Sequence, residues 1–420
     1  MKRSSRIAGL IVCITLAVAC GSNGLSGTDT TRPVEAPLLT TISITASGAS
    51  VSIGGTLQLN VSARDQSGRL LSPSLRWVSR SPSLASVSTA GLVTGLSAGS
   101  AVIQASGTGA DSLVSGSYAV AVVGTSSYVP GQSYFGRNNY IEYIAGNAPV
   151  ILSAPHGGAL TPSSIPDRTA AACGGAATTV TDANTAELVR AMQQRFFARF
   201  GRYPHVIISN LSRRKLDPNR VQPEAACGNA DAAAALSEWH AYIDSAKAAI
   251  LKSTSAGWYM DMHGHGHTIQ RLELGYLLAD ADLNLSNSGL DASSRFRDVA
   301  SIRTVAQTSP LTFSALLRGP TSLGTLYANN GFPSLPSSTD PSPNGADYFN
   351  GGDNTARHTC GSLASALGGT TNGNICGVQI EANFTGVRDN AANRDRFADV
   401  TAVVLEEYLR THLGLRLATP

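Results

Sequence analysis

Four short apolar runs set among long helical stretches constrain this chain more than any other feature. Residues 148–153, 205–209, 258–262 and 378–381 have the length and the β-branched or aromatic content of buried strands. Residues 184–200, 230–252 and 394–412 read as helices. In the first of these, Leu188, Met192, Phe196 and Phe200 fall four apart, Asn184 and Glu187 stand at capping-box spacing, and Gly201 supplies a stop. Strands alternating with helices predict an α/β domain with a mostly parallel sheet flanked by helices on both faces. In such sheets the reactive groups gather just past the carboxyl ends of the strands.

The four runs meet that rule. The first leads into Pro155-His156-Gly157-Gly158, and the second into a loop with Arg213-Arg214-Lys215 and Asp217-Pro218-Asn219-Arg220. The third leads into Asp261-Met262-His263-Gly264-His265-Gly266-His267, and the fourth ends at Glu381. If the chain stays extended, alternation puts Asp261, His263, His265 and His267 on one side. Imidazoles aimed at one point beside a carboxylate are what a zinc site needs, and the glycines between them leave room for an ion or a substrate. The bland alternative is an exposed His-rich loop. An Arg fork beside an Asn grips a carboxylate, although Asp217 also stands where it can pair with a neighbouring arginine.

The residues before this region are of a different kind. Lys2, Arg3 and Arg6 precede an apolar run over 7–16 that is too short to span a bilayer, and Ala17-Val18-Ala19 then lead to Cys20. This is an export signal. Residues 21–38, rich in Gly, Ser, Thr and Pro, read as a disordered linker. From 41 to 123, short alternating runs broken by Gly, Ser and Asp predict a β-sandwich, and a second linker follows over 124–133. Beyond Cys13 and Cys20 the cysteines are Cys173, Cys227, Cys360 and Cys376. In an oxidising compartment they suggest two disulfides. Three pairings are open; Cys173–Cys227 and Cys360–Cys376 are favoured because each ties together Gly/Ala-rich loops. A zinc-thiolate site competes weakly, since no C-x-x-C pair is present. The net charge is only +3 and no basic run exceeds Arg213-Arg214-Lys215, so no nucleic-acid partner is expected.

Small residues directly before Cys20 resemble the lipobox of bacterial lipoproteins, with Leu16 one place further from the Cys than usual. That resemblance implies a lipid anchor at Cys20 and a place in the cell envelope, on the outer membrane and facing periplasm or surface. Trp77-Val78-Ser79, Ala90-Gly91-Leu92-Val93-Thr94-Gly95 and Ala98-Gly99 resemble the bacterial immunoglobulin-like group 2 domain, here over 39–124, with Trp77 a core residue. Pro155-His156-Gly157-Gly158, then Arg213 ahead of Asp217-x-Asn219-Arg220, then Asp261-x-His263 resemble in order the motifs of the N-formylglutamate amidohydrolase family. That family shares its fold with the zinc carboxypeptidases, and the resemblance assigns it to residues 134–420.

The resemblance implies zinc bound by His156 and His263, a substrate carboxylate held by Asn219 and Arg220 with Arg213 nearby, and Glu381 as general base. His265 is added as a substrate-binding candidate. Zinc carboxypeptidases place a Glu ligand three residues after the first His, whereas Ala159 stands here. Asp182 is chosen as the third ligand, with His265 and Asp261 as rivals. The expected activity is zinc-dependent hydrolysis of an amide in a carboxylate-bearing substrate, an N-acyl amino acid or a peptide. A zinc carboxypeptidase, a peptidoglycan amidase and a non-catalytic surface adhesin remain alternatives. Oligomeric state is not legible.

Overall fold

The structure is a computed structural model that describes residues 36–418 apart from 47, 54, 98, 124–127, 365 and 370–372. The export signal at 1–20, with Cys20, and the linker as far as 35 lie outside the described residues. From Leu39 onward the chain forms one compact unit.

Its first part is a sandwich of β1 (Leu39–Ala46), β2 (Ser50–Ser52), β3 (Thr56–Asp65), β4 (Leu70–Leu71), β5 (Leu75–Ser79), β6 (Ala85–Val87), β7 (Leu92–Gly95), β8 (Gly99–Gly107) and β9 (Ser115–Val123). One sheet runs β1-β3-β7-β6 with β4 on β3; the other runs β2-β9-β8-β5. Period-two alternation turns Val51, Leu57, Leu59, Val93, Ile103, Val120 and Val122 into the interior. Trp77 is partly buried against this interior. Gly91 is required beside it: its φ is +78°, and a Cβ there would lie 2.8 Å from the indole ring.

The second part is an eight-stranded sheet. Its strands are β10 (Ser133–Phe135), β11 (Ile141–Ile144), β12 (Val150–Ala154), β13 (His205–Ser209), β14 (Gly257–Gly264), β15 (Leu272–Gly275), β16 (Ser334–Leu335) and β17 (Ile375–Ala382). The order is β10-β11-β13-β12-β14-β17-β15-β16. The central four, β13-β12-β14-β17, are parallel, and they are the four apolar runs of the sequence. The expectation of a mostly parallel sheet needs correcting, because β11 is antiparallel to β13, β10 to β11, and β15 to β17. The sheet is mixed. Residues 265–271 between β14 and β15 are too few for the crossover that a parallel return demands, so β15 must run the other way.

Successive residues of the central strands face opposite layers. Val150, Leu152, Trp258, Met260, Val378 and Ile380 pack against helices α1 (Thr185–Phe200) and α3 (Ala391–Leu413). Ile151, Ile207, Tyr259 and Ile375 pack against α2 (Ala230–Ser253) through Trp239, Ile243 and Ile250. The stripe Leu188, Met192, Phe196 and Phe200 is buried as its spacing predicts, and Gly201 ends α1 in the left-handed region. The capping box does not form. Asn184 has φ +65° and makes no side-chain cap; its Nδ2 instead donates to the Arg388 carbonyl at 2.8 Å. Both favoured disulfides, Cys173–Cys227 and Cys360–Cys376, are present.

Phe196 is fully buried and meets Phe200 edge-on at 5.7 Å between ring centroids. Phe196→Ala is expected to destabilise the fold by about 3–5 kcal/mol in urea unfolding of the full chain. A loss below about 1 kcal/mol would mean that the α1 face collapses freely and is not a packed core.

Candidate metal centre

The row of the sheet that faces α2 changes character toward its carboxyl edge. Beyond Ile151 stands Ser153, beyond Tyr259 stand Asp261 and His263, and beyond Ile375 stand Gln379 and Glu381. Register brings these side by side: Ser153 lies opposite Asp261, Asp261 opposite Gln379, and His263 opposite Glu381. His156 follows β12 by two residues, and Asp182 sits in the loop before α1, with its N–H donating to the His156 carbonyl at 3.1 Å.

His156 Nε2 lies 2.7 Å from Asp217 Oδ1, and His263 Nε2 lies 2.8 Å from Asp261 Oδ2. The two Nδ1 atoms point inward, 3.2 and 3.3 Å from the same oxygen, Asp182 Oδ2. That oxygen also accepts the Gly264 N–H at 3.2 Å. The ring centroids are 4.8 Å apart, and His156, Asp182, Asp217, Asp261, His263 and Glu381 are all buried.

Ionised carboxylates only accept hydrogen bonds, so Asp217 and Asp261 hold a proton on each Nε2 and leave a lone pair on each Nδ1. His156 Nδ1, His263 Nδ1 and Asp182 Oδ2 are then three electron-pair donors, all within 4.8 Å of one another. Buried at this spacing, such atoms repel unless a positive charge lies between them. Burial opposes charge on His263, but Asp261, Asp182 and Glu381 outweigh it and hold the imidazole well above its ordinary value. Asp182 is held well below the usual carboxylate range, because both histidines together overcome its burial. Neutral imidazoles steered through their outer N–H by carboxylates are the usual way a protein presents histidine to a metal.

Glu381 is next to this cluster. Its Oε1 lies 3.9 Å from His263 Nδ1 and accepts from Gln379 Nε2 at 2.9 Å. Burial first, then Asp182, pushes its carboxyl up to about 7 against the opposing pull of His263 and His156.

A cavity of about 230 Å³ opens onto these groups, lined also by Arg213, Asn219 and Arg220. Arg213 is largely committed: its Nε donates to Asp217 Oδ2 at 2.9 Å, and its Nη1 is 3.7 Å from Asp182 Oδ1. Asn219 Oδ1 accepts the Asn354 N–H at 2.9 Å, and its Nδ2 is left 3.5 Å from His263 Nε2. Arg220 is at the rim, its side chain more than a third exposed, with Nη1 donating to the Asn219 carbonyl at 2.7 Å. A Cβ on Gly352 would lie 2.3 Å from Asn219 Nδ2, so only glycine lets that loop close over the amide.

His265 does not belong to this cavity, contrary to the expectation that it binds substrate. β14 ends at Gly264, alternation stops there, and the ring turns away. Its Nε2 lies 2.8 Å from the Arg271 carbonyl, and its Nδ1 accepts the His267 N–H at 3.1 Å. Asp261, a rival for the ligand set, is instead the outer partner of His263. Asp217 keeps the predicted pairing with Arg213 and also holds His156, a role that nothing in its local sequence announces. Thr178, Phe349, Gly351, Gly352 and Gln379 complete the wall. Of these only Gln379, alternating with Glu381 on one strand, carried a readable signal.

The bacterial Ig-like domain (group 2) family matches residues 39–114, so the sandwich is an immunoglobulin-like module. No curated protein matches the chain. Among solved structures, domains 4 and 5 of the S-layer protein SbsC are 27% identical over 21% of this chain and 53% of theirs, with a TM-score of 0.18. The intimin–Tir90 complex is 22% identical over 20% of this chain and 47% of that one, with a TM-score of 0.16. The chain thus spans about half of these proteins, and 20% of the SbsC chain with domains 1–6. An N-formylglutamate amidohydrolase from Ralstonia eutropha JMP134 is 13% identical over 64% of this chain and 96% of that one, with a TM-score of 0.37.

Proposed function

We propose that the α/β region is a zinc-dependent hydrolase that cleaves an amide C–N bond in a carboxylate-bearing substrate. The observation that carries this reading is the meeting of two imidazole Nδ1 atoms and one carboxylate oxygen, with both outer nitrogens tied to aspartates. Two nitrogens and one oxygen suit zinc, whereas calcium and magnesium take oxygen ligands. His156, Asp182 and His263 would hold the ion. A zinc ion with an open position polarises a carbonyl and lowers the pKa of water toward neutrality.

The chain's own groups supply the rest. Glu381, buried and poised near neutrality, accepts a proton from the attacking water and returns it to the departing nitrogen. Arg220, with donors to spare at the rim, and the Asn219 amide grip the substrate carboxylate, turning binding into orientation. Arg213 adds positive charge there but keeps its Nε on Asp217. The Ig-like module and the two disulfides fit an extracellular or cell-surface protein. Anchoring through a lipid on Cys20 completes the proposal.

Zinc titration of the metal-stripped full chain tests this reading. One ion per chain is expected, and Asp217→Asn should weaken its binding about 10–100-fold by loosening His156. Absence of stoichiometric zinc in the unaltered protein would refute the proposal.

A further inference from the structure

A second cavity, of about 420 Å³, lies where the Ig-like module meets α2. Ser81, Ser100 and Val102 of the module form one wall, and Leu236, His240 and Arg357 stand across from them. Arg220 lines this cavity and the metal-centre cavity alike. The strip between the two is hydrogen-bonded: Asn354 N–H donates to Asn219 Oδ1 at 2.9 Å, and Val221 N–H donates to Asp353 Oδ2 at 3.1 Å. Arg220 therefore sits on a shared ridge with open space on either side.

Behind the cleft lies a buried polar chain that the proposed hydrolysis leaves unused, and of it His240 lines the cavity. His240 Nδ1 lies 2.9 Å from His358 Nε2, and His358 Nδ1 lies 3.7 Å from Asp244 Oδ1, all three buried. Burial, and then Arg357, pushes the His240 imidazole well below its ordinary value, so a neutral ring faces the cleft. Arg357 donates from Nη1 to the Leu367 carbonyl at 2.6 Å, while its buried Nε has no hydrogen-bond partner among the described residues. Asp353 already accepts the Val221 N–H. The lining is more apolar than polar, with Val102, Leu236 and Leu367 beside the hydroxyls of Ser81, Ser100 and Ser237 and the Arg220 guanidinium, and that mixture suits the side chains and carbonyls of a peptide. The metal-centre cavity alone falls short of the roughly 300–1,000 Å³ usual for ligand sites.

We propose that this cleft holds the part of the substrate that extends past Arg220, that the substrate is a short peptide or acyl peptide, and that the Ig-like module is one wall of the substrate site. The proposal rests on the hydrolase reading above.

Binding can be separated from turnover in the zinc-loaded full chain carrying Glu381→Gln, titrated by calorimetry with N-acetyl-glutamate and with an N-acetyl tetrapeptide that begins with glutamate, whose side-chain carboxylate reaches Arg220 while the main chain continues past it. The tetrapeptide is expected to bind about tenfold tighter or more. Adding Ser100→Trp, or Val102→Arg in a second variant, should remove that gain and leave N-acetyl-glutamate unaffected. Equal affinities for the two probes, no binding of either, or a gain that survives in both wall variants would overturn the proposal. Wall-dependent binding together with no hydrolysis of either probe by the unaltered protein would instead refute the hydrolase reading and leave the cleft standing as a peptide site.

Discussion

Replacing His263 with alanine is expected to leave the protein without stoichiometric zinc and without amide hydrolysis. Its Nδ1 is one of the three converging donors, and its Nε2 is the atom that Asp261 holds in place. With two donors left, zinc binding should fall about a thousandfold or more, beyond the 10–100-fold that follows loss of an outer partner. The fold also loses something. Among the described residues Asp261 then keeps Ser153 Oγ at 2.5 Å and Tyr259 OH at 3.3 Å as hydrogen-bond partners but no imidazole, and an uncompensated buried charge costs about 3–5 kcal/mol. Asp182→Asn is therefore the companion variant, since it removes a ligand's charge and keeps its shape. Elemental analysis, activity and thermal melting of both variants check this. Full activity in zinc-free His263→Ala would sink the metal mechanism.

The second large effect is expected at Glu381. Glu381→Gln keeps the size of the side chain, lies outside the three-donor set, and should retain zinc. Its kcat should fall about 10²–10⁴-fold, because an amide neither takes the proton from water nor returns it to the leaving nitrogen. Unchanged kcat with zinc retained would assign proton transfer to another group.

The four central strands were readable because a buried parallel strand must be apolar on both faces, which leaves short dense runs such as residues 205–209 and 258–262. The polar residues at their ends were readable for the same reason. Asp261 and His263 interrupt an apolar row at the place where that row leaves the core. The edge strands were not readable. β16 is only Ser334–Leu335, and β11 carries a buried Glu142, ion-paired to Arg190 of α1, which breaks the apolar pattern. His265 was misread because period-two alternation holds only while the chain is paired, and pairing of β14 ends at Gly264.

By itself the chain's order of residues determined the two-part organisation, the central strands, the long helices and the chemical types available at the sheet edge, all of which follow from local periodicity. Which of those groups meet was decided in three dimensions. Asp217 read only as an ion-pair partner of a neighbouring arginine and Asp261 as a rival metal ligand, until the loop after β13 and the register of β12, β14 and β17 set them against Nε2 of His156 and His263. The cavity wall from 349 to 352 and the Arg220 ridge arise from contacts between segments more than a hundred residues apart, and separations of that length leave no trace in local pattern.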